Sequence, residues 1–217
     1  MDPIPDPIPS VGCLLYVAAD QVVASRPSVL LYMTRVPCKR VGVDPIHLSA
    51  VVLAATFLSL QESGHLSFRI HEESLRIIPA GVMPSMTLYA EVLDTTSRPG
   101  LAGALLSAAI NSPDGWVGTA DGEPGYMFGR DESHVLGLLV KHPYVEKEVQ
   151  RELVQAGAYT PSGRAFRPDC ARIASLAGVC ADAVRWWKQQ QADAPRLCML
   201  LLDLCQTASA GPRGGGG

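Results

Sequence analysis

Three basic residues close together in the chain, Arg35, Lys39 and Arg40, have the chemistry to bind an anion. They flank Pro37 and Cys38 in the stretch TRVPCKR, shortly before a long apolar segment. Guanidinium and ammonium groups donate charge-assisted hydrogen bonds to phosphate and carboxylate oxygens, so this cluster suits a phosphate or a phospholipid headgroup. A solvated turn that binds nothing is the commoner use of such residues.

The sequence contains no catalytic motif of a known kind. It lacks both phosphate-binding glycine patterns, G-x-x-x-x-G-K-[ST] and G-x-G-x-x-G, and the G-x-S-x-G nucleophile elbow. Its five histidines form no H-E-x-x-H pair. The nearest approach to a metal-binding set, His71-Glu72-Glu73, is expected in a solvated hairpin turn. We therefore predict no catalytic residue, no metal and no cofactor, and an enzyme with an unrecognised cysteine or histidine site stays an alternative.

Six cysteines are spread along the chain without a C-x-x-C pair, which excludes a zinc ribbon and a thioredoxin motif. They are Cys13, Cys38, Cys170, Cys180, Cys198 and Cys205. The last two are spaced to share one face of a helix, where thiols commonly pack as small apolar groups. The prediction is reduced, buried cysteines in a cytoplasmic protein, and a partly oxidised secreted protein is the alternative.

Four aromatic residues are candidates for a contact surface. Trp116, Tyr126 and Phe128 lie in the glycine-rich and proline-rich stretch 111–130, which predicts a long loop of the kind that is often functional. Trp186 stands beside basic residues near the end of a predicted helix, and such rings suit a membrane interface or a partner surface. Packing against the core is the alternative role for all of them.

A long helix is predicted directly after the basic cluster. Asp44 can cap it, Pro45 is compatible with its first position, and Gly64 is suited to its end. The segment between them is apolar on nearly every side, so this helix should be central and buried. The alternation that follows Gly64 predicts a strand over 65–71, which could pair with Leu75–Ile78.

The same order of helix, glycine and strand recurs later in the chain. Tyr144–Ala156 has an apolar stripe at helical spacing, Gly157 ends it, and an extended piece starts at Ala158. Segment 11–23 suits strands or short helices equally. Further helices are predicted for Met86–Leu93, Leu101–Ile110, His134–Val140, Asp169–Lys188 and the segment from Pro195.

The predicted fold class is mainly α with short β-hairpins, as a single compact helical domain with winged-helix-like helix–strand units. The domain should span 11–207, after a disordered proline-rich amino terminus (1–10) and before a flexible glycine-rich tail (208–217). Apolar residues make up 47% of the chain and charged residues 18%, a globular balance.

Charge and hydropathy limit the classes of function and the location. The net charge of −3 lacks the basic excess of a dedicated nucleic-acid binder. The amino terminus is acidic and proline-rich, unlike a signal peptide. The longest apolar stretch, Leu48–Leu60, is too short to span a bilayer. These features predict a cytoplasmic protein.

Three segments together resemble the Golgi phosphoprotein 3 family of helical phosphoinositide-binding adaptors. They are LSAVVLAATFLSLQESGHLSF, VEKEVQRELVQAGAY and VRWWKQQQADAPRLCMLLLDLC. The resemblance implies a helical adaptor at a membrane surface. The family's acidic-glycine stretch is absent around 30–42, its threonine-glycine-aspartate segment is absent near 82–90, and its lipid-binding arginines fall near Pro143 and Glu146. The resemblance thus transfers no lipid-site residue.

The leading functional prediction is a non-enzymatic adaptor that binds an anionic lipid headgroup at a membrane surface, as a peripheral membrane protein, or binds a protein partner. The alternatives are a winged-helix-type module that binds DNA or protein, and the unrecognised enzyme. Nucleic acid is the less favoured partner, because the Leu48–Leu60 segment carries no basic residue for a recognition helix.

Overall fold

The computed structural model describes residues 8–27, 33–75, 83–96, 98–111, 116–118, 124–128, 142–163 and 165–210. The helices are α1 (Val11–Val17), α2 (Ala19–Val22), α3 (Pro45–Glu62), α4 (Gly100–Asn111), α5 (His142–Gln155), α6 (Cys170–Ser175), α7 (Ala177–Asp193) and α8 (Pro195–Ala210). The strands are β1 (Ser25–Pro27), β2 (Thr34–Arg35), β3 (Val41–Val43), β4 (Leu66–Leu75), β5 (Met83–Val92), β6 (Trp116–Gly118), β7 (Pro124–Phe128), β8 (Tyr159–Ser162) and β9 (Ala165–Pro168). The predicted class, mainly α with β-hairpins, is confirmed.

Helix α3 runs through the centre of the domain, as its sequence predicts. The Asp44 carboxylate caps its start by accepting hydrogen bonds from the backbone N–H groups of Ile46 and His47, both at 2.9 Å. Helices α1, α5 and α8 pack around it. The prediction that the apolar segment is too short to span a bilayer does not hold for the whole helix, which by length and composition is the one among the described residues that could cross a membrane. However, 67% of it is buried inside the protein. Such burial is typical of a core helix in a soluble domain.

Helix α1 crosses α3 at a glycine. A Cβ added to Gly12 would lie 2.6 Å from Thr56 Oγ1 and 3.1 Å from the backbone oxygen of Val52. Thr56 is buried and donates its hydroxyl to that same oxygen at 2.7 Å. Only a residue without a side chain allows this close approach of the two backbones.

Both predicted helix–glycine–strand units are present, and their helices end in the same way. After α3, Gly64 has φ +75° and His65 N–H donates to the Leu60 oxygen at 2.9 Å. After α5, Gly157 has φ +70° and Ala158 N–H donates to the Leu153 oxygen at 2.8 Å. This bond from the second residue beyond the helix is the mark of a Schellman motif, which requires a left-handed residue at the glycine position.

The largest sheet has the antiparallel order β4-β5-β7-β6. The helix predicted for Met86–Leu93 is wrong, because residues up to Val92 belong to strand β5, which pairs with β4 along ten residues. Leu88 and Ala90 are buried two positions apart, which is the period of a strand. Pairing on both sides of β5 outweighs the helix propensity of its Met, Leu and Ala residues.

The prediction that the strand after Gly64 pairs with the next few residues in a short hairpin is also wrong. Strand β4 continues through His71-Glu72-Glu73 to Leu75, where a turn was expected, and its partner is β5. Residues 76–78, the predicted partner strand, lie outside the described residues. A continuous partner on β5 stabilises β4 over its full length, so no local turn is needed.

The predicted loop over 111–130 contains the strands β6 and β7. Trp116 pairs with Tyr126, and Phe128 pairs with Leu88 of β5. The three candidate loop aromatics therefore occupy strand positions in the four-stranded sheet. Glycines and prolines dominate this segment, so its sequence does not show the alternation by which a strand is recognised.

The carboxyl-terminal half follows the prediction with one break. The single helix predicted for Asp169–Lys188 is two helices, α6 and α7, separated at Leu176, a residue that is 1% exposed. Helix α8 continues to Ala210, past the predicted start of the tail at 208. Segment 11–23 is helical, and the predicted helix His134–Val140 lies outside the described residues, as do the terminal residues 1–7 and 211–217.

Candidate functional site

The basic turn, residues 35–40, connects strands β2 and β3. The N–H of Val36 donates to the Val41 oxygen at 3.0 Å, and the N–H of Lys39 donates to the Val36 oxygen at 3.1 Å. Pro37 and Cys38 form the two central positions of this β-turn. Cys38 has φ +59°, the one positive value among the described non-glycine residues. Turns of this kind favour glycine or asparagine at that position, so a further interaction must hold a cysteine there.

A disulfide between Cys38 and Cys170 is that interaction. Their Cα atoms are 5.6 Å apart and both residues are exposed, so the prediction of reduced, buried cysteines is wrong for this pair. The remaining cysteines, Cys13, Cys180, Cys198 and Cys205, are free and buried as predicted. The bonded residues are 132 positions apart, and only the fold brings the turn to the start of α6.

The three predicted anion-binding residues have different surroundings. Lys39 Nζ lies 2.7 Å from both carboxylate oxygens of Asp20, which ties the turn to α2. Arg35 and Arg40 are exposed, and within the described ranges neither forms an ion pair. The structure thus assigns Lys39 to the scaffold and leaves two arginines available to a ligand.

Sequence reasoning missed a third arginine near the turn. In the sheet β1-β3-β2, Gly42 of the central strand is the register partner of Arg26 on one side and of Arg35 on the other. Adjacent strands lie about 4.8 Å apart, so the two arginine backbones are separated by roughly 10 Å. Nothing in the spacing of Arg26 and Arg35 along the chain signals this; it depends on the antiparallel pairing of both strands with β3.

Ser63, His65 and Asp94 lie in the order of a hydrolase triad. Ser63 Oγ is 3.1 Å from His65 Nδ1, and Asp94 Oδ2 is 3.3 Å from His65 Nε2. However, Arg98 donates its Nε–H to the same Nε2 at 2.8 Å, so this nitrogen is the acceptor and the ring proton is on Nδ1. Ser63 Oγ donates to the backbone oxygen of Ser59 at 2.9 Å. The histidine cannot accept the serine proton, and the group fixes the end of α3 instead.

A second polar cluster is buried between α1 and α5. Tyr16 donates its hydroxyl to Glu146 Oε1 at 3.0 Å, and Gln150 donates to both of them. Burial, and then the charge of Glu146, raise the pKa of the Tyr16 phenol well above its ordinary value. The adjacent cavity, which also reaches Thr34 and Ser49, has a volume of only about 10 Å³. That volume is at most enough for one water molecule and is too small for a substrate.

The Trp186 side chain makes contacts within the fold that its sequence position does not indicate. Its indole N–H donates to the Glu62 carboxylate at 3.0 Å, and Gln190 donates to the same carboxylate at 2.7 Å. These bonds join α7 to the end of α3. The ring is partly buried against the core, so the alternative role of packing accounts for it. Neighbouring Trp187 is fully buried.

Within the described ranges, no group of three or more His, Cys, Asp or Glu residues is placed to hold a metal ion. Comparison with known protein families finds no family that matches the chain. Neither a curated protein nor a solved structure matches it. The resemblance to the Golgi phosphoprotein 3 family stays a prediction, and the candidate site rests on the geometry of the basic turn alone.

Proposed function

We propose that this domain is a non-enzymatic binding module that docks on an anionic membrane surface through the basic turn. The observation that supports it most is the pair of exposed arginines, Arg35 and Arg40, with no carboxylate partner in the described part of the chain. The turn that carries them is held on one side by the Lys39–Asp20 ion pair and on the other by a disulfide. A fixed turn presents both charges without a large ordering cost.

The expected strength of this docking is modest. A basic side chain near an anionic leaflet contributes about 1 kcal/mol, so two arginines give roughly 2 kcal/mol, or about a thirtyfold enrichment. The whole chain has a net charge of −3, so the attraction is local to the turn. Exposed charges are screened beyond about 10 Å at 0.1 M salt, and binding should weaken as salt is added.

The alternative functions have less support. A winged-helix module places an exposed helix in the DNA groove, whereas α3, the helix that precedes β4, is enclosed by other helices. An enzyme needs a cleft that holds substrate beside its reacting groups. The polar clusters at His65 and Tyr16 are occupied by internal hydrogen bonds.

Vesicle flotation tests the proposal. The protein is mixed at low salt with phosphatidylcholine vesicles that contain or lack phosphatidylserine. We expect flotation only with phosphatidylserine, and its loss in the double variant Arg35→Glu/Arg40→Glu. The matched control is Lys147→Glu/Lys188→Glu, which makes the same charge change at exposed positions on α5 and α7.

Three results would count against the membrane proposal. Wild-type protein that never floats at low salt ends it. Equal loss in the Lys147→Glu/Lys188→Glu control would show that net charge, and not the basic turn, is responsible. Binding to a polyglutamate peptide in preference to vesicles would transfer the site to an acidic protein partner.

A further inference from the structure

We propose that the Cys38–Cys170 disulfide is a redox-sensitive clamp that sets the conformation of the basic turn and thereby regulates docking. This regulatory role rests on the membrane docking proposed above. The structural part of the proposal, opening of the turn on reduction, can be measured whether or not membranes bind.

The disulfide is the accessible sulfur pair of the described chain. Cys38 and Cys170 are both exposed, whereas the free cysteines are buried. Burial raises the pKa of Cys205 to about 12 and that of Cys180 to about 11, although the charge of Lys39 opposes the rise at Cys180. Thiols with such values are unreactive, because the thiolate is the form that attacks. A reductant cleaves disulfides and does not act on free thiols, so its one target in the described chain is the Cys38–Cys170 bond, and the buried thiols do not exchange with it.

The positive charges next to Cys38 favour its departure from the disulfide as a thiolate. Lys39 and Arg40 follow it directly, and both are exposed. A neighbouring cation stabilises a thiolate, and a more stable thiolate leaves faster in thiol–disulfide exchange. The basic residues that would meet an anionic surface thus also promote reduction of the bond beside them.

The backbone conformation of Cys38 is unfavourable, so the turn should change conformation once the disulfide is cut. Its φ of +59° lies in the left-handed region, which a side chain with a Cβ disfavours. The cross-link to Cys170 holds the residue there. Without it, Cys38 is free to return to a negative φ, which changes the direction of the chain that carries Lys39 and Arg40.

The opening should stay local. Val36 at the base of the turn and Pro37, one of its two central residues, are buried, and burial keeps this side of the turn in place. Besides the disulfide, the tip is held by the backbone hydrogen bond from the Lys39 N–H to the Val36 oxygen at 3.1 Å and by the Lys39–Asp20 ion pair, in which the lysine side chain is 44% exposed. Exposed ion pairs of this kind contribute little. Reduction should release residues 38–40 without unfolding the domain.

The reaction is ordinary thiol–disulfide exchange with a dithiol reductant. One thiolate of the reductant attacks a sulfur of the Cys38–Cys170 bond, forms a mixed disulfide and displaces the other cysteine as a thiolate. The second thiol of the reductant then displaces the remaining cysteine. The protein gains two electrons and two protons as two thiols, and the dithiol is oxidised to its own disulfide.

Dithiothreitol and hydrogen exchange test the clamp under native conditions. The oxidised and reduced full chains are compared by amide hydrogen exchange over residues 36–43, by thermal unfolding and by flotation on phosphatidylserine vesicles. We expect faster exchange confined to that segment, a retained cooperative unfolding transition, and vesicle binding weakened about fivefold or more. The variant Cys38→Ser/Cys170→Ser should behave like the reduced protein, and dithiothreitol should not change it further.

Each contrary result has a distinct meaning. A disulfide that dithiothreitol leaves intact in the folded protein overturns the clamp, and so does a reduced protein with unchanged exchange over 36–43. Vesicle binding that is equal in both redox states overturns the regulatory role. If neither state binds vesicles, the docking function and its regulation both fail, and hydrogen exchange alone then decides whether the turn opens.

Discussion

Arg98 Nε lies 2.8 Å from Nε2 of His65, a ring that is only 2% exposed. On the other side of the ring, Nδ1 faces the backbone oxygen and the hydroxyl of Ser63, each at 3.1 Å. The backbone oxygen of His65 accepts from the N–H of Leu93 at 2.9 Å. One buried histidine thus joins the end of α3, the loop after β5 and the segment that leads into α4.

Substitution of His65 should be costly. His65→Ala removes a buried ring and leaves the Ser63 and Arg98 groups without their partner, so the free energy of unfolding should fall by about 2–3 kcal/mol. Arg98 is exposed, and Arg98→Gln leaves the His65 ring in place, so this substitution should lower the free energy of unfolding by only about 1 kcal/mol. Urea unfolding measures both. An Arg98 variant as unstable as the His65 variant would contradict the central role of the ring.

The helix cap at Asp44 predicts a dependence of stability on pH. Burial alone would raise the pKa of Asp44, but hydrogen bonds from the backbone and side chain of His47, its charge, and the N–H of Ile46 outweigh burial and lower it. A carboxyl whose pKa is lower in the folded state adds stability above the ordinary carboxyl pKa of about 4, and this stability is lost as the pH falls through the folded-state pKa.

Asp44→Ala should therefore lower the free energy of unfolding by about 1 kcal/mol at pH 7. The gap between wild type and variant should shrink below about pH 4, where the carboxylate becomes protonated. Asp44→Asn is the matched control, because asparagine caps a helix without a titrating group. A gap between wild type and the alanine variant that is constant from pH 7 to pH 3 would refute the assignment.

A pair of glycines gives opposite predictions for the same substitution. Gly12→Ala places a methyl group against Thr56 and the backbone of Val52, so it should destabilise the protein by about 1–3 kcal/mol. Gly178→Ala meets nothing within 4 Å in helix α7 and should stabilise it by roughly 0.5–1 kcal/mol. Thermal unfolding distinguishes the two signs. The double variant Gly12→Ala/Thr56→Ala should recover part of the loss.

The two adjacent tryptophans should respond differently. Trp187 is 2% exposed, and Trp187→Ala should cost about 3–5 kcal/mol. Trp186→Phe keeps the ring packing but loses the hydrogen bond to Glu62, which should cost about 1 kcal/mol. Because that ring packs within the fold, Trp186→Phe should leave vesicle flotation unchanged. Loss of flotation with unchanged stability would restore Trp186 as a membrane contact.

Elements with several coincident local signals could be predicted from the sequence. Helix α3 combines an aspartate cap, a proline at its first position and a glycine beyond its end, and each signal has a local physical cause. The helix Tyr144–Ala156 has an apolar stripe with charged residues opposite. The local signals in strand β5 point to the wrong structure, because its Met, Leu and Ala residues favour a helix. Its strand conformation depends on pairing with β4 and β7, which the local sequence does not show.

The parts of the candidate site that depend on distant residues could not be predicted. The charges of Arg35, Lys39 and Arg40 are visible in the sequence, but the selection of Lys39 for an internal ion pair depends on Asp20. The link from Cys38 to Cys170 and the place of Arg26 opposite Gly42 depend on tertiary contacts and sheet register. No local pattern encodes these relationships.

The enclosure of α3 has a consequence for biosynthesis. This apolar helix ends at Glu62, whereas α8, which covers one side of it, starts at Pro195. At about 5–20 residues per second, a ribosome completes α3 roughly 7–27 seconds before it begins α8. During that interval the nascent chain carries an uncovered apolar helix, a natural substrate for ribosome-associated chaperones. Fragments that stop before α8 should aggregate, even though they contain the whole basic turn.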